Sequence, residues 1–144
     1  MRKNPQEFDW GTVGLNFGNW DEKKIWALNI PESTLDISEL EWHLDCPFWE
    51  NDSGVEYSVT PREVLEKISG TTNEQEKVEN ADTKHPIDIY FNKNKWLVLD
   101  GIHRLAKLYA AGAERVRVRI ITADTLPLVS TGEPIEMPTW WNKS

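Results

Sequence analysis

Hydrophobic and polar positions are most regular in the second half of the chain. PIDIYF, residues 86–91, alternates with a period of two and predicts a strand. NKNK, 92–95, has the composition of a hairpin turn. WLVLD, 96–100, is apolar until its last residue, as in a strand buried on both faces. From about 102 to 111 the period changes. Ile102, Leu105, Ala106 and Tyr109 recur at spacings of three and four, which predicts a helix, and Gly112 is placed to stop it. RVRVRII, 115–121, returns to a period of two, with Val116, Val118 and Ile120 on one side and Arg115, Arg117 and Arg119 on the other. Such an arginine row is more often a solvated face paired with acids than the flank of an anionic ligand.

The first half is less regular. KIWALNI, 24–30, is compact, apolar and bounded by Pro31, and predicts a first strand. In ISELEWHL, 37–44, Ile37, Leu40 and Leu44 fall at helical spacing, with Asp36 as the expected cap and Pro47 as the end. TPREVLEKI carries a stronger helix start. Thr60 caps, Pro61 takes the first helical position and Glu63 completes a capping box. Val64, Leu65 and Ile68 supply its buried face, and Gly70 its stop. Residues 70–84 are polar and charge-rich, either a mobile loop or a solvated helical excursion. Residues 1–23 read as an irregular arm pinned by Trp10, Phe17 and Trp20. Residues 127–144, with Trp140 and Trp141, read as an irregular tail. The order of strands and helices over 24–126 predicts one α/β (α+β) domain, a small mixed sheet flanked by helices.

Composition narrows the function. The formal net charge of −8 opposes sequence-independent binding of nucleic acid by the whole surface. No apolar run reaches the roughly 18 residues of a membrane helix, and no apolar segment follows the basic residues at the N-terminus, so neither a membrane span nor a secretory signal is expected. Cys46 is the single cysteine, which excludes an internal disulfide and fits a cytoplasmic setting. His43, His85 and His103 have no metal-ligand spacing, so no protein-held metal is expected. Eight tryptophans point first to packing, within the core or against a protein partner, and second to stacking on a ring.

VLDGIHRLAKLYAAG, 98–112, concentrates the chemistry. A strand ends at Asp100, and Gly101, His103 and Arg104 open a helix. Helix N-termini present free amides and a partial positive charge, and a glycine lets a ligand approach the backbone. Together these favour phosphate. Arg104 suits bidentate contact with phosphate, and Lys107 shares one polar edge with His103 and Arg104. Asp100 is placed to orient a side chain, hold Mg²⁺ through water or accept a ribose hydroxyl. The plainer alternative makes Asp100 a helix cap, His103 a donor to a carbonyl and Arg104 a surface ion pair.

The order P-I-D-I, hairpin, apolar strand, D-G-I-H-R, alanine-rich helix and V-x-V strand resembles the ParB/sulfiredoxin-like superfamily, also described as ParB-like nuclease domains, over residues 86–121. The resemblance extends weakly to KIWALNIP and TPREVLEKI. It implies a stand-alone, single-domain member that binds the phosphates of ATP or CTP, with Mg²⁺. By that resemblance Gly101, the Ile102 amide, His103 and Arg104 would hold phosphate, with Arg62 as a further candidate; Asp100, the nearest acid in sequence to that cradle, and His103 are the catalytic candidates. Glu41, Asp45 and Glu63 are candidates for the carboxylate base of a phosphotransferase. Ile102 stands where sulfiredoxins carry their catalytic cysteine, so sulfinic acid reduction is not expected. The expected activity is nucleotide-dependent phosphotransfer or nucleotide hydrolysis. A DNA nuclease and a non-catalytic regulatory module are the alternatives.

Overall fold

The computed structural model describes residues 18–56, 58–92 and 94–134. Trp10, Phe17, Trp140 and Trp141 lie outside them. The elements run β1 (Gly18–Trp20), α1 (Glu22–Trp26), β2 (Glu32–Asp36), two 3-10 turns (Ile37–Glu39 and Glu41–Asp45), α2 (Pro61–Leu65), α3 (Thr72–Glu79), β3 (Ile87–Asn92), β4 (Lys95–Asp100), α4 (Ile102–Ala110), β5 (Arg115–Ile120), α5 (Leu126–Val129) and β6 (Ser130–Pro134). Four strands form a mixed sheet in the order β2-β5-β3-β4, in which β3 and β5 are parallel and the other pairs antiparallel. β1 and β6 pair separately. This is an α+β arrangement, with helices flanking a small mixed sheet. No helix among the described residues is long and apolar enough to cross a membrane.

Strand alternation divides the core. Leu97, Leu99 and Ile121 face one side of the sheet and pack with Ile25 and Val129. Ile87, Ile89, Val98, Val116 and Val118 face the other and pack with Ile37, Leu40 and Leu105. A third cluster, Leu44, Trp49, Val59, Val64, Val78 and Ala106, joins α2 and α3 to α4.

Several expectations are met. The hairpin places Asn94 at φ 63°, a conformation asparagine tolerates. Thr60 and Glu63 form the full capping box of α2. α4 spans the expected helix, and Gly112 follows it at φ 83°. Residues 70–84 take the helical alternative, α3.

Others are corrected. KIWALNI is no strand, because Asp21 caps a helix there by accepting from the Lys23 amide, and Ile25 alone of that helix is fully buried. The first strand of the four-stranded sheet is instead the more polar ESTLD of β2. ISELEWHL forms two 3-10 turns, and Asp36 makes no side-chain cap. α2 ends before Gly70. Its last turn closes at Lys67, with φ 57°, and the Ile68 amide donates to the Glu63 carbonyl, leaving Ile68 exposed. The stretch after 126 begins with α5 and β6, and the stretch before 24 ends with β1 and the start of α1, so neither is wholly irregular. The arginine row is graded. Arg115 and Arg117 pair with Asp36 and Glu32 at the surface, whereas Arg119, 13% exposed, pairs with buried Asp88 at 2.7 Å. Ile120 is 38% exposed, and Ile121 is buried in its place.

The turns at 37–45 have a structural task at the sheet edge. β4 is an edge strand, and its outward polar groups need partners. The Trp42 indole N–H donates to the Trp96 carbonyl at 3.2 Å, and the Val98 amide donates to His43 Nε2 at 2.9 Å. His43 Nδ1 therefore carries the proton that goes to the Leu40 carbonyl, 2.8 Å away. Burial holds this imidazole neutral, its pKa lowered to about 3.

Candidate functional site

β4 delivers Asp100 at its carboxyl end, and Gly101 turns the chain into α4 at φ 117°, ψ 23°. Glycine is required there for two reasons. The left-handed conformation disfavours a side chain, and a Cβ would meet Arg104 Nη1 at 3.3 Å and the Ile87 side chain at 3.4 Å. The arginine folds back across the bare glycine. Arg104 Nη2 donates to Asp100 Oδ2 at 3.0 Å, and Nη1 donates to the Pro86 carbonyl.

Among the described residues no side chain caps the first turn of α4. The plainer alternative for Asp100 is therefore corrected: Asp100 Oδ2 accepts from Arg104 and from the Trp26 indole N–H at 2.7 Å. It braces α1 against the corner instead of capping the helix. Arg104 and Asp100 are also well covered, with 15% and 12% of their side chains exposed, so Arg104 is no loose surface cation.

His103 is held on two sides. Its Nε2 donates to Glu74 Oε2 at 2.7 Å, and its ring stacks on Trp49, with centroids 4.4 Å apart and planes 5° apart. The Glu74 carboxylate, from α3, is 5% exposed, and the imidazole 35%. A buried carboxylate on one ring nitrogen fixes the imidazole's orientation and leaves Nδ1 as its proton-accepting nitrogen. Glu41, Asp45 and Glu63 do not line this place, and Asp45 and Glu63 are engaged elsewhere. Glu74 is the carboxylate the sequence did not single out. Its faint signal is the i, i+4 spacing to Val78, the two residues α3 buries.

The corner opens into a cleft of about 640 Å³. Gly101, Ile102, His103 and Arg104 line it, as does Asp100. Lys107 does not. Its Nζ donates to the carbonyls of Glu79 and Ala81 at 2.7 and 3.0 Å, closing the C-terminus of α3. Arg62 also sits elsewhere, paired with Asp45 at 2.7 Å and lying over the Tyr109 ring. That pairing raises the Arg62 pKa further.

Five carboxylates (Glu50, Glu74, Glu76, Asp82 and Asp100) line the cleft together with Lys77, His103 and Arg104. The Lys84 amide holds Asp82 below the usual carboxylate range. A bare polyanion would meet repulsion at this rim, whereas a phosphate group accompanied by a divalent cation would not. Among the described residues no cluster of three or more His, Cys, Asp or Glu is arranged to hold a metal by itself. Single carboxylates at the rim suit the one or two protein ligands that Mg²⁺ takes beside phosphate.

At the sheet's end runs a row of four charges in which two neighbouring carboxylates are flanked by two arginines. Arg119 pairs with Asp88, Asp88 lies opposite Asp100 in the hairpin register, and Asp100 pairs with Arg104. Burial pushes the Asp88 carboxyl up, against the pull of Arg119. Arg119 also donates to the Leu28 and Ile25 carbonyls, tying α1 over the row. Compared with protein-family models, with curated proteins and with solved structures, the chain finds no match in any of the three.

Proposed function

We propose that the protein binds the phosphates of a nucleotide, ATP or CTP, at the corner between β4 and α4, and transfers or hydrolyses the terminal phosphate. The observation that carries this reading is the first turn of α4, which no side chain among the described residues caps and which opens with His103 and Arg104 into a cleft. The resemblance of D-G-I-H-R and its flanking elements to the ParB/sulfiredoxin-like superfamily supports it. Phosphate oxygens accept from the amides of the first turn and from Arg104. Mg²⁺ would supply charge neutralisation there, and the rim carboxylates, Asp82 among them, would hold it. His103, oriented by Glu74, takes the proton of an attacking hydroxyl or water at Nδ1 as that oxygen bonds to the terminal phosphorus and the nucleoside diphosphate leaves. Asp100 serves as a brace for Arg104.

A regulatory module without turnover is the second reading. One observation favours it: Asp100 already accepts from both Trp26 and Arg104, so it is not a free base. The five carboxylates around the cleft count against a nuclease. We read the setting as cytoplasmic from the single cysteine. Calorimetric titration with ATP, CTP and GTP, with and without Mg²⁺, tests the assignment. Saturable, Mg²⁺-dependent binding that His103→Gln preserves while phosphate release stops supports the enzyme. Binding with no release in either protein supports the module, and absence of binding overturns the phosphate reading.

A further inference from the structure

Arg104 is a wall of two clefts. The second, about 660 Å³, lies toward α1, and Trp26, Glu32, His85, Asp88 and Arg119 are among its lining residues besides Arg104. Trp26 is its unusual member, because the side chain is 55% exposed yet firmly placed. The indole N–H is tied to Asp100 at 2.7 Å, and the backbone on either side is pinned by Arg119, at 2.9 Å to the Ile25 carbonyl and 2.8 Å to the Leu28 carbonyl. A large ring normally gains by folding onto the core. These bonds keep this one at the cleft wall, where it loses little freedom when another ring covers it.

Around the ring the cleft offers both kinds of edge contact. The half-exposed Glu32 carboxylate accepts, the Arg119 guanidinium, which already donates once from each nitrogen to Asp88, Leu28 and Ile25, can only donate, and the exposed His85 imidazole donates or accepts. A flat face with mixed donors and acceptors at its margin fits a heteroaromatic ring better than an aliphatic or purely anionic group. Arg104 lines this cleft and the phosphate cleft alike. We infer that the second cleft holds the base of the nucleotide, stacked on Trp26, with the ligand straddling Arg104. This rests on the phosphate reading for the other end of the ligand.

The two ends can be tested separately. Inorganic tripolyphosphate with Mg²⁺ probes the corner alone, free adenosine and cytidine probe the second cleft alone, and ATP and CTP probe both. Trp26→Leu is expected to weaken the nucleotide about tenfold, the usual scale of one stacked ring, while tripolyphosphate affinity changes less than about twofold. Trp26→Phe keeps a plane but loses the N–H that ties the ring to Asp100, and is expected to recover part of the loss. Thermal midpoints of both variants check that α1 still docks. Equal loss for nucleotide and tripolyphosphate, no loss for either, or a Phe variant as weak as the Leu variant overturns the base pocket. Absence of tripolyphosphate binding in the wild type overturns the phosphate reading instead. In that case nucleoside binding lost in Trp26→Leu still supports the second cleft, and no nucleoside binding overturns it.

Discussion

One strand carries two histidine environments of opposite kind. Along its outer edge β4 meets His43, fully buried, with both ring nitrogens committed to backbone partners. At its end β4 leads to His103, partly exposed, with one nitrogen held by Glu74 and one face covered by Trp49. The edge has used up its hydrogen-bonding capacity on the fold, and the corner keeps some in reserve. A histidine in an apolar neighbourhood is thus no sign of chemistry until its second nitrogen is accounted for.

The sharpest way to break the contrast is to substitute each histidine. His43→Leu leaves the Val98 amide and the Leu40 carbonyl without their partner. Each orphaned buried group costs about 1–3 kcal/mol, so a stability loss of several kcal/mol is expected in urea denaturation. His103→Gln, whose amide can still donate to Glu74, is expected to change stability by less than about 1 kcal/mol. Similar losses in the two variants would erase the distinction.

Acid tests the buried edge next. The unfolded His43 takes a proton near pH 6.5, whereas the folded one resists until about 3. The unfolded state then binds more protons, so stability is full above pH 6.5 and falls as pH drops toward 3. The slope attributable to His43 approaches about 1.4 kcal/mol per pH unit. His43→Gln can make both backbone bonds without titrating, and it is expected to flatten this part of the curve. An unchanged slope would assign it to carboxylates.

Arg104→Ala is expected to weaken phosphate binding by about 1.5–3 kcal/mol, the scale of a lost charged hydrogen bond. Because Arg104 also braces Asp100 and the Pro86 carbonyl, some loss of thermal stability is expected with it. Tripolyphosphate titration at fixed ionic strength measures the first, and unchanged affinity would reduce the corner to a scaffold. Asp100→Asn retains one acceptor for two donors, so a smaller effect, within about tenfold in affinity, is expected. The smallest expected effect is the control, Thr60→Ala. It removes a cap that bonds Glu63 and neither histidine, and should cost about 1 kcal/mol of stability with no change in binding.

What the sequence made legible was what local chemistry decides. The capping box at Thr60, the asparagine turn and the strand-glycine-helix corner each depend on residues within four positions of one another. Misreadings fell where distant partners decide. KIWALNI has strand composition, yet Asp21 starts a helix and two bonds from Arg119 hold it down. ISELEWHL has helical spacing, yet tighter turns bring Trp42 and His43 onto the edge of β4. In the site, Gly101, His103 and Arg104 were legible because they are contiguous. Glu74 and Trp26 were not, being 29 and 78 residues from His103 and Arg104 in sequence. Lys107 matched the helical edge by spacing, but the carbonyls at the end of α3 claimed it.

α3 is fastened chiefly at its two ends. Asp52, from a preceding loop, accepts from the Thr72 and Asn73 amides, and the Asn73 bond holds its carboxyl below the usual range. Lys107 secures the other end. Between these anchors the helix buries little besides Glu74 and Val78. It behaves like a rung whose outer face carries almost no structural duty. Residues such as Asn73, Glu76, Lys77 and Asn80, which line the cleft, are thereby open to replacement without loss of the scaffold. An evolving lineage can redraw the charge of that wall, and so the molecule it admits, while the sheet behind it stays untouched.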